Sequence, residues 1–115
     1  MGFAKKNFED LQVWQRSRVL TNEIYNAFEK IRDFEFRSQI QRASVSVMNN
    51  IAEGFERRTK KDFARFLYLS KGSSGEVRSM LYLAEDRRYI EKSSAEGLRT
   101  EYKDLSQVSG FPLSK

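Results

Sequence analysis

The chain contains no cysteine and no histidine, only one proline (Pro112) and only six glycines. Without cysteine there is no disulfide framework. Without either residue there is no ordinary zinc site, no haem histidine ligand and no catalytic triad that uses Cys or His. The longest stretches free of charge, such as Ala43–Ala52, span ten residues, about half the length of a membrane-spanning helix. The opening residues, MGFAKKNFEDL, hold no apolar segment of the kind a secretory signal needs. The expectation is a cytoplasmic protein with no membrane partner.

What remains is a chain of 115 residues, the length of one domain over residues 1–115 with one modest core. Lys and Arg number 21 against 16 Asp and Glu, a formal net charge of +5. Hydrophobic residues make up 39% and recur at regular spacing, which separates the chain from disordered sequences of similar charge. About a hundred residues run without a strong breaker, so the chain reads as all-α.

Four helical segments follow from the spacing. The first covers about 8–30, with Asn7 as N-cap and a stripe of Val13, Ser17, Leu20, Ile24, Ala27 and Ile31. The second covers 34–53, with Asp33 at its start, Phe36, Ile40, Ala43, Val47 and Ile51 as its stripe, and Gly54 as its stop. The third covers 60–87, capped by Thr59 with Asp62, and its stripe is Phe63, Phe66, Leu67, Ser70, Ser74, Val77, Leu81 and Ala84. Gly72 and Gly75 inside it each cost about 1 kcal/mol relative to Ala, and close approach of a neighbouring helix is the expected reason. The fourth covers 93–109, with Ser93 and Glu96 as a capping box and Ala95, Leu98, Tyr102, Leu105 and Val108 as its stripe. Short connections favour an antiparallel, up-down-up-down four-helix bundle.

One stripe per helix suffices for a monomeric bundle, and this sequence has more. Leu11, Trp14 and Tyr25 lie off the stripe of the first helix, Val45, Met48 and Ala52 beside that of the second, and Tyr68, Leu69, Tyr82 and Leu83 off that of the third. A wide core with scattered exposed apolar residues would account for them. The preferred reading is a homo-oligomer interface, since such surfaces are rich in Trp, Tyr and Met.

Arg57, Arg58, Lys60, Lys61 and Arg65 form the densest positive cluster, across the turn after the second helix. Lys60 and Lys61 stand at a helix N-terminus, where positive charge is disfavoured by about 0.3–1 kcal/mol. The functional reading is a phosphate-binding patch that contacts nucleic-acid backbone, with Phe55 as the one candidate for base stacking. The alternative is a solvated loop balanced by a Glu53–Arg57 pair.

The order of motifs is specific. Phe8-Glu9-Asp10-Leu11-Gln12-Val13-Trp14 is followed by Ser38-Gln39-Ile40-Gln41-Arg42-Ala43-Ser44-Val45-Ser46. Then come Asn50-Ile51-Ala52-Glu53-Gly54 and Lys61-Asp62-Phe63-Ala64-Arg65-Phe66-Leu67. The chain thereby resembles the bacterial four-helix bundle proteins encoded in intervening sequences of 23S ribosomal RNA genes, a family also labelled ribosomal-protein-like. The resemblance covers roughly residues 8–105. It implies antiparallel helices, a ring-like homo-oligomer with a pentamer as the best guess, and a structural role for Asn50, Ile51, Ala52, Glu53 and Gly54. The more distant retroelement accessory proteins share the architecture and act as basic scaffolds for RNA and its enzyme. The chain departs from the family pattern in its short, proline-free Ile31–Phe34 link, in the extra Gly75, and in a shorter fourth helix.

Other chemistry is sparse. Glu53 and Glu56 among arginines make a poor metal site, so neither metal nor cofactor is expected. Asn50 is expected to bond a neighbouring helix, and Arg42 to pair with Glu23 or Glu76. The resulting expectation is a non-enzymatic scaffold that binds RNA or a ribonucleoprotein; the alternative is a protein-interaction scaffold with no nucleic-acid role.

Overall fold

The computed structural model describes residues 7–107. Within them the chain forms four helices and no strand. They are α1 (Gln12–Phe28), α2 (Phe34–Phe55), α3 (Lys60–Asp86) and α4 (Lys92–Gln107), and a short 3-10 turn, Phe8–Asp10, precedes α1. The helices lie side by side in a rod 48 Å long and 22 Å across. α2 packs most extensively on α3, α3 on α4 and α1 on α2, whereas α1 meets α4 over the smallest area and the diagonal pairs do not touch.

The expected stripes supply most of the core. Leu20, Ile24, Ile40, Val47, Ile51, Leu67, Val77, Leu81, Ala84, Ala95, Tyr102 and Leu105 are all essentially inaccessible. Near the end of α1, Phe28 takes the buried place, while Ala27 and Ile31 stay at the margin. Val108, the last position of the expected α4 stripe, and residue 109 of its expected range lie outside the described residues.

A layer of small polar side chains crosses the middle of this core. The Thr21 hydroxyl donates to the carbonyls of Ser17 (2.8 Å) and Ser44 (3.2 Å). The Ser70 hydroxyl donates to the Val47 carbonyl (2.7 Å), and the Ser74 hydroxyl to that of Tyr102 (3.3 Å). These bonds satisfy the buried hydroxyls, and all but the Thr21–Ser17 bond tie one helix to the next at a point where small side chains let backbones approach. The Tyr102 ring ends in the same layer, where its hydroxyl faces Thr21 without meeting hydrogen-bond geometry. Burial pushes the pKa of this phenol well above its ordinary value.

Helix ends differ from the expectation at the end of α1, where Phe28 rather than residue 30 is the last helical residue, and in four further places. The 3-10 turn occupies residues 8–10, the Asn7 N–H donates to the Asp10 carboxylate (3.2 Å), and extended Leu11 delays α1 to residue 12. Gly54 lies inside α2 rather than stopping it. The Ser93–Glu96 capping box is not used, because α4 already includes Ser93 and the Ala95 N–H donates to the Glu91 carbonyl (3.0 Å). α3 closes at Asp86 with Arg88 in the left-handed region (φ 61°), while the N–H groups of Arg88 and Tyr89 donate to Glu85 and Ala84. That is the Schellman closure, with arginine where glycine is usual.

Two caps follow the sequence. Thr59 accepts the Asp62 N–H at 3.0 Å and starts α3. Asp33 accepts the Phe36 N–H at 3.1 Å and starts α2. Asp33 also accepts the Tyr89 hydroxyl at 2.7 Å, linking the start of α2 to the α3–α4 turn. The Tyr89 bond, then the Phe36 N–H and the charge of Arg87, hold the Asp33 carboxyl below its usual range.

The glycines of α3 also correct an expectation. A Cβ added at Gly72 or Gly75 would meet nothing within 4 Å, so no neighbouring helix of this chain requires either one. The close approach is at Gly54 instead, where an added Cβ would stand 2.7 Å from Phe66 Cβ and 3.0 Å from the Phe63 ring.

Candidate nucleic-acid interface

The α2–α3 turn is built from three local features. The N–H groups of Glu56 and Arg57 donate back to α2 carbonyls and close it. The absence of a side chain at Gly54 lets the start of α3 fold tightly against the end of α2. Thr59 then begins α3, so Lys60 and Lys61 fall in its first turn. As a result Arg57, Arg58, Lys60, Lys61 and Arg65 all emerge, exposed, at one end of the rod.

These five cations are of two kinds. The Arg57 guanidinium pairs with Glu53 one turn back, at 2.8 Å, and lies 4.7 Å from the centre of the Phe66 ring. The Arg65 guanidinium lies 4.6 Å from the same ring. Phe66 is buried beneath the pair, so Arg57 and Arg65 are oriented by cation–π contact before any ligand arrives. Arg58, Lys60 and Lys61 have no ion-pair partner among the described residues. Fixed and free positive charges thus share one end of the rod, and their chemistry suits phosphate oxygens rather than base edges. Phe55, the expected stacking residue, is half-buried and packs edge-on against Phe63, with ring centres 5.9 Å apart.

The signature residues serve packing. Ile51 is buried, Ala52 half-buried, and Glu53 holds Arg57. Asn50 reaches α3 indirectly. Its side-chain amide donates to the carbonyl (2.9 Å) and hydroxyl (3.0 Å) of Ser46 on its own helix, and the Ser46 hydroxyl meets that of Ser73 on α3 at 2.8 Å. Arg42 pairs with neither Glu23 nor Glu76; Glu76 accepts from the Gln39 amide instead, at 3.3 Å. No group of three or more Asp and Glu residues able to hold a metal ion occurs among the described residues.

The apolar residues off the stripes divide in the same way. Tyr68, Leu69, Tyr82 and Leu83 stand out from α3 with 48–60% of their surface exposed, and Tyr25 stands out from α1. Leu11, Trp14, Val45, Met48 and Ala52 are half-buried along the edges of α1 and α2. Two exposed apolar residues, Val19 and Phe34, were missed by the periodicity. Phe34 begins α2, where no stripe had yet been established, and Arg37 lies 4.9 Å over its ring. Tyr82 carries Arg99 over its ring at 3.9 Å, and Arg99 in turn pairs with Glu85 at 3.0 Å.

The model of the 23S rRNA-intervening sequence protein family matches residues 9–110. The chain belongs to this family. A structural relative carries the same fold: a Bacteroides thetaiotaomicron protein described as of unknown function from the S23 ribosomal protein family. It is 21% identical, with a TM-score of 0.79 over 84% of this chain and 93% of that one. No curated protein matches the chain. No helix among the described residues of this family member is long and apolar enough to cross a membrane.

Proposed function

We propose that the protein is a non-enzymatic scaffold: an antiparallel up-down-up-down bundle that assembles into a ring-like homo-oligomer, with a pentamer as the best guess, and binds RNA or a ribonucleoprotein. The antiparallel reading is supported by contacts that run in opposite order along successive helices. Thr21 bonds to Ser44 while Phe28 packs on Phe36, and Val47 accepts from Ser70 while Asp33 accepts from Tyr89. Assembly is supported by the exposed tyrosines and leucines of α3.

The observation that carries RNA binding is the cation set at the α2–α3 turn, three members of which have neither an ion-pair partner nor an aromatic ring beneath them among the described residues. Repetition around a ring would place several such ends on one face and raise the local potential. Contacts would go to phosphates, giving weak sequence preference and strong dependence on salt.

Filter binding of RNA across a salt series tests this. Each phosphate neutralised steepens the slope of log affinity against log salt by about 0.7–0.9. The triple variant Arg58→Glu, Lys60→Glu, Lys61→Glu leaves the Arg57–Phe66–Arg65 packing in place and should abolish binding. Equal binding by the triple variant would refute the reading. A partner recovered after nuclease treatment, without RNA, would assign the patch to an acidic protein instead.

A further inference from the structure

Two stripes, a half-buried to exposed one along the edge of α1 and an exposed one on α3, correspond position for position. On α1 the stripe reads Trp14, Arg18, Tyr25, with Leu11 just before the helix; on α3 it reads Leu69, Gly72, Glu76, Leu83. Each α3 position is the α1 position plus 58. The pairs are Leu with Leu, Trp with Gly, Arg with Glu, and Tyr with Leu. Arg18 and Glu76 are both exposed, and neither has an ion-pair partner among the described residues.

The offset also sets height along the rod. Arg16 of α1 pairs with Glu101 of α4, and Ser74 of α3 bonds to the adjacent Tyr102. Arg16 and Ser74 therefore stand nearly level, and they too differ by 58. In a ring whose axis runs along the bundle, neighbouring copies are not displaced in height. The α1 stripe of one copy then stands at the level of the α3 stripe of the next.

We infer that the outward face of α3 receives α1 of a second copy of this chain, with Trp14 seated over Gly72 and Arg18 paired with Glu76. This deepens the ring assembly proposed above and rests on it. The two stripes differ from each other, so the contact is heterologous, and repeating it generates a ring where the rotation between copies closes. It also gives Gly72 the close neighbour that its own chain does not supply. The charges are complementary: Arg18 is the one charged residue of the α1 stripe and Glu76 the one charged residue of the α3 stripe.

Sedimentation or light scattering of the full chain tests this on four proteins at one concentration. The wild type should be a multiple of 13.5 kDa. Arg18→Glu and Glu76→Arg should each shift the mass toward 13.5 kDa. The double variant, with the pair reversed, should restore the wild-type mass. Gly72→Leu, whose side chain starts in open space within the chain, should dissociate the assembly while leaving the helical circular dichroism unchanged. A monomeric wild type overturns ring assembly itself. An oligomeric wild type whose mass is unaffected by Arg18→Glu, Glu76→Arg and Gly72→Leu overturns this pairing and leaves assembly standing. Dissociation of both single charge variants without rescue in the double variant also overturns the pairing.

Discussion

A methyl group on Gly54 would stand 2.7 Å from the Cβ of Phe66. Both atoms are fixed by backbone, one on α2 and one on α3, so neither can swing away. Gly54→Ala gains helix propensity worth about 1 kcal/mol but forces the two helices apart at the turn that carries the basic residues. The net effect should be destabilisation by about 1–3 kcal/mol, read as a lower urea midpoint. Gly97→Ala supplies the control. An added Cβ there meets nothing within 4 Å, so this substitution should raise stability by up to about 1 kcal/mol.

Arg88 offers a gain of a different origin. Its backbone is left-handed in order to close α3, a conformation that costs a residue with a Cβ about 1–2 kcal/mol. Arg88→Gly relieves that cost while leaving the two closing N–H bonds intact. Thermal unfolding should occur several degrees higher, since about 1 kcal/mol moves the midpoint of a domain this size by about 4–8 °C. No change would mean that the greater freedom of glycine in the unfolded chain offsets the relief.

Asp33 ties the folded state to acid pH. Its carboxyl is held below the ordinary value of 3.8 by the Tyr89 hydroxyl, the Phe36 N–H and Arg87. A depressed folded pKa contributes stability that is complete above the unfolded value and is lost as pH falls through the folded one. Asp33→Asn retains a capping oxygen but cannot titrate. The stability difference between wild type and Asp33→Asn should therefore be constant from neutral pH down to about 4 and shrink below it, in a denaturation series at stepped pH. A difference that stays constant below pH 4 would remove the carboxylate from the acid response.

The stripes of α2, α3 and α4 were legible because a 3.6-residue period records which side of a helix meets the core. Thr59 and Asp33 were legible as caps because their bonds are local. What escaped was decided between helices. Gly54 has the composition of a helix stop, and only the position of Phe66 reveals it as a contact. Phe66 itself reads as one more stripe residue, with nothing in its spacing to show that Arg57 and Arg65 converge on its ring. Arg88 carries no left-handed signature; the closure is made by backbone bonds, beside a Tyr89 ring that packs against Phe36 with ring centres 5.2 Å apart. The basic cluster was visible as composition, and its division into anchored and free cations was not.

The Tyr102 hydroxyl is the one polar group of the central layer that makes no hydrogen bond by geometry, although it faces Thr21, whose hydroxyl hydrogen is shared between the Ser17 and Ser44 carbonyls. Removing an unsatisfied buried hydroxyl while keeping the ring should be neutral or stabilising, so Tyr102→Phe should match or exceed the wild type at neutral pH. Tyr102→Ala should instead cost about 3–5 kcal/mol, because it empties the centre of the core. The alkaline response separates the hydroxyl from the ring. The folded pKa of Tyr102 is raised, so the contribution of its neutral form is complete below the unfolded value, near 10, and is lost as pH rises above it. Wild type should therefore lose stability above about pH 10 more steeply than Tyr102→Phe. A loss of more than about 1 kcal/mol at neutral pH in the Phe variant would show that the hydroxyl is bonded to Thr21 in solution.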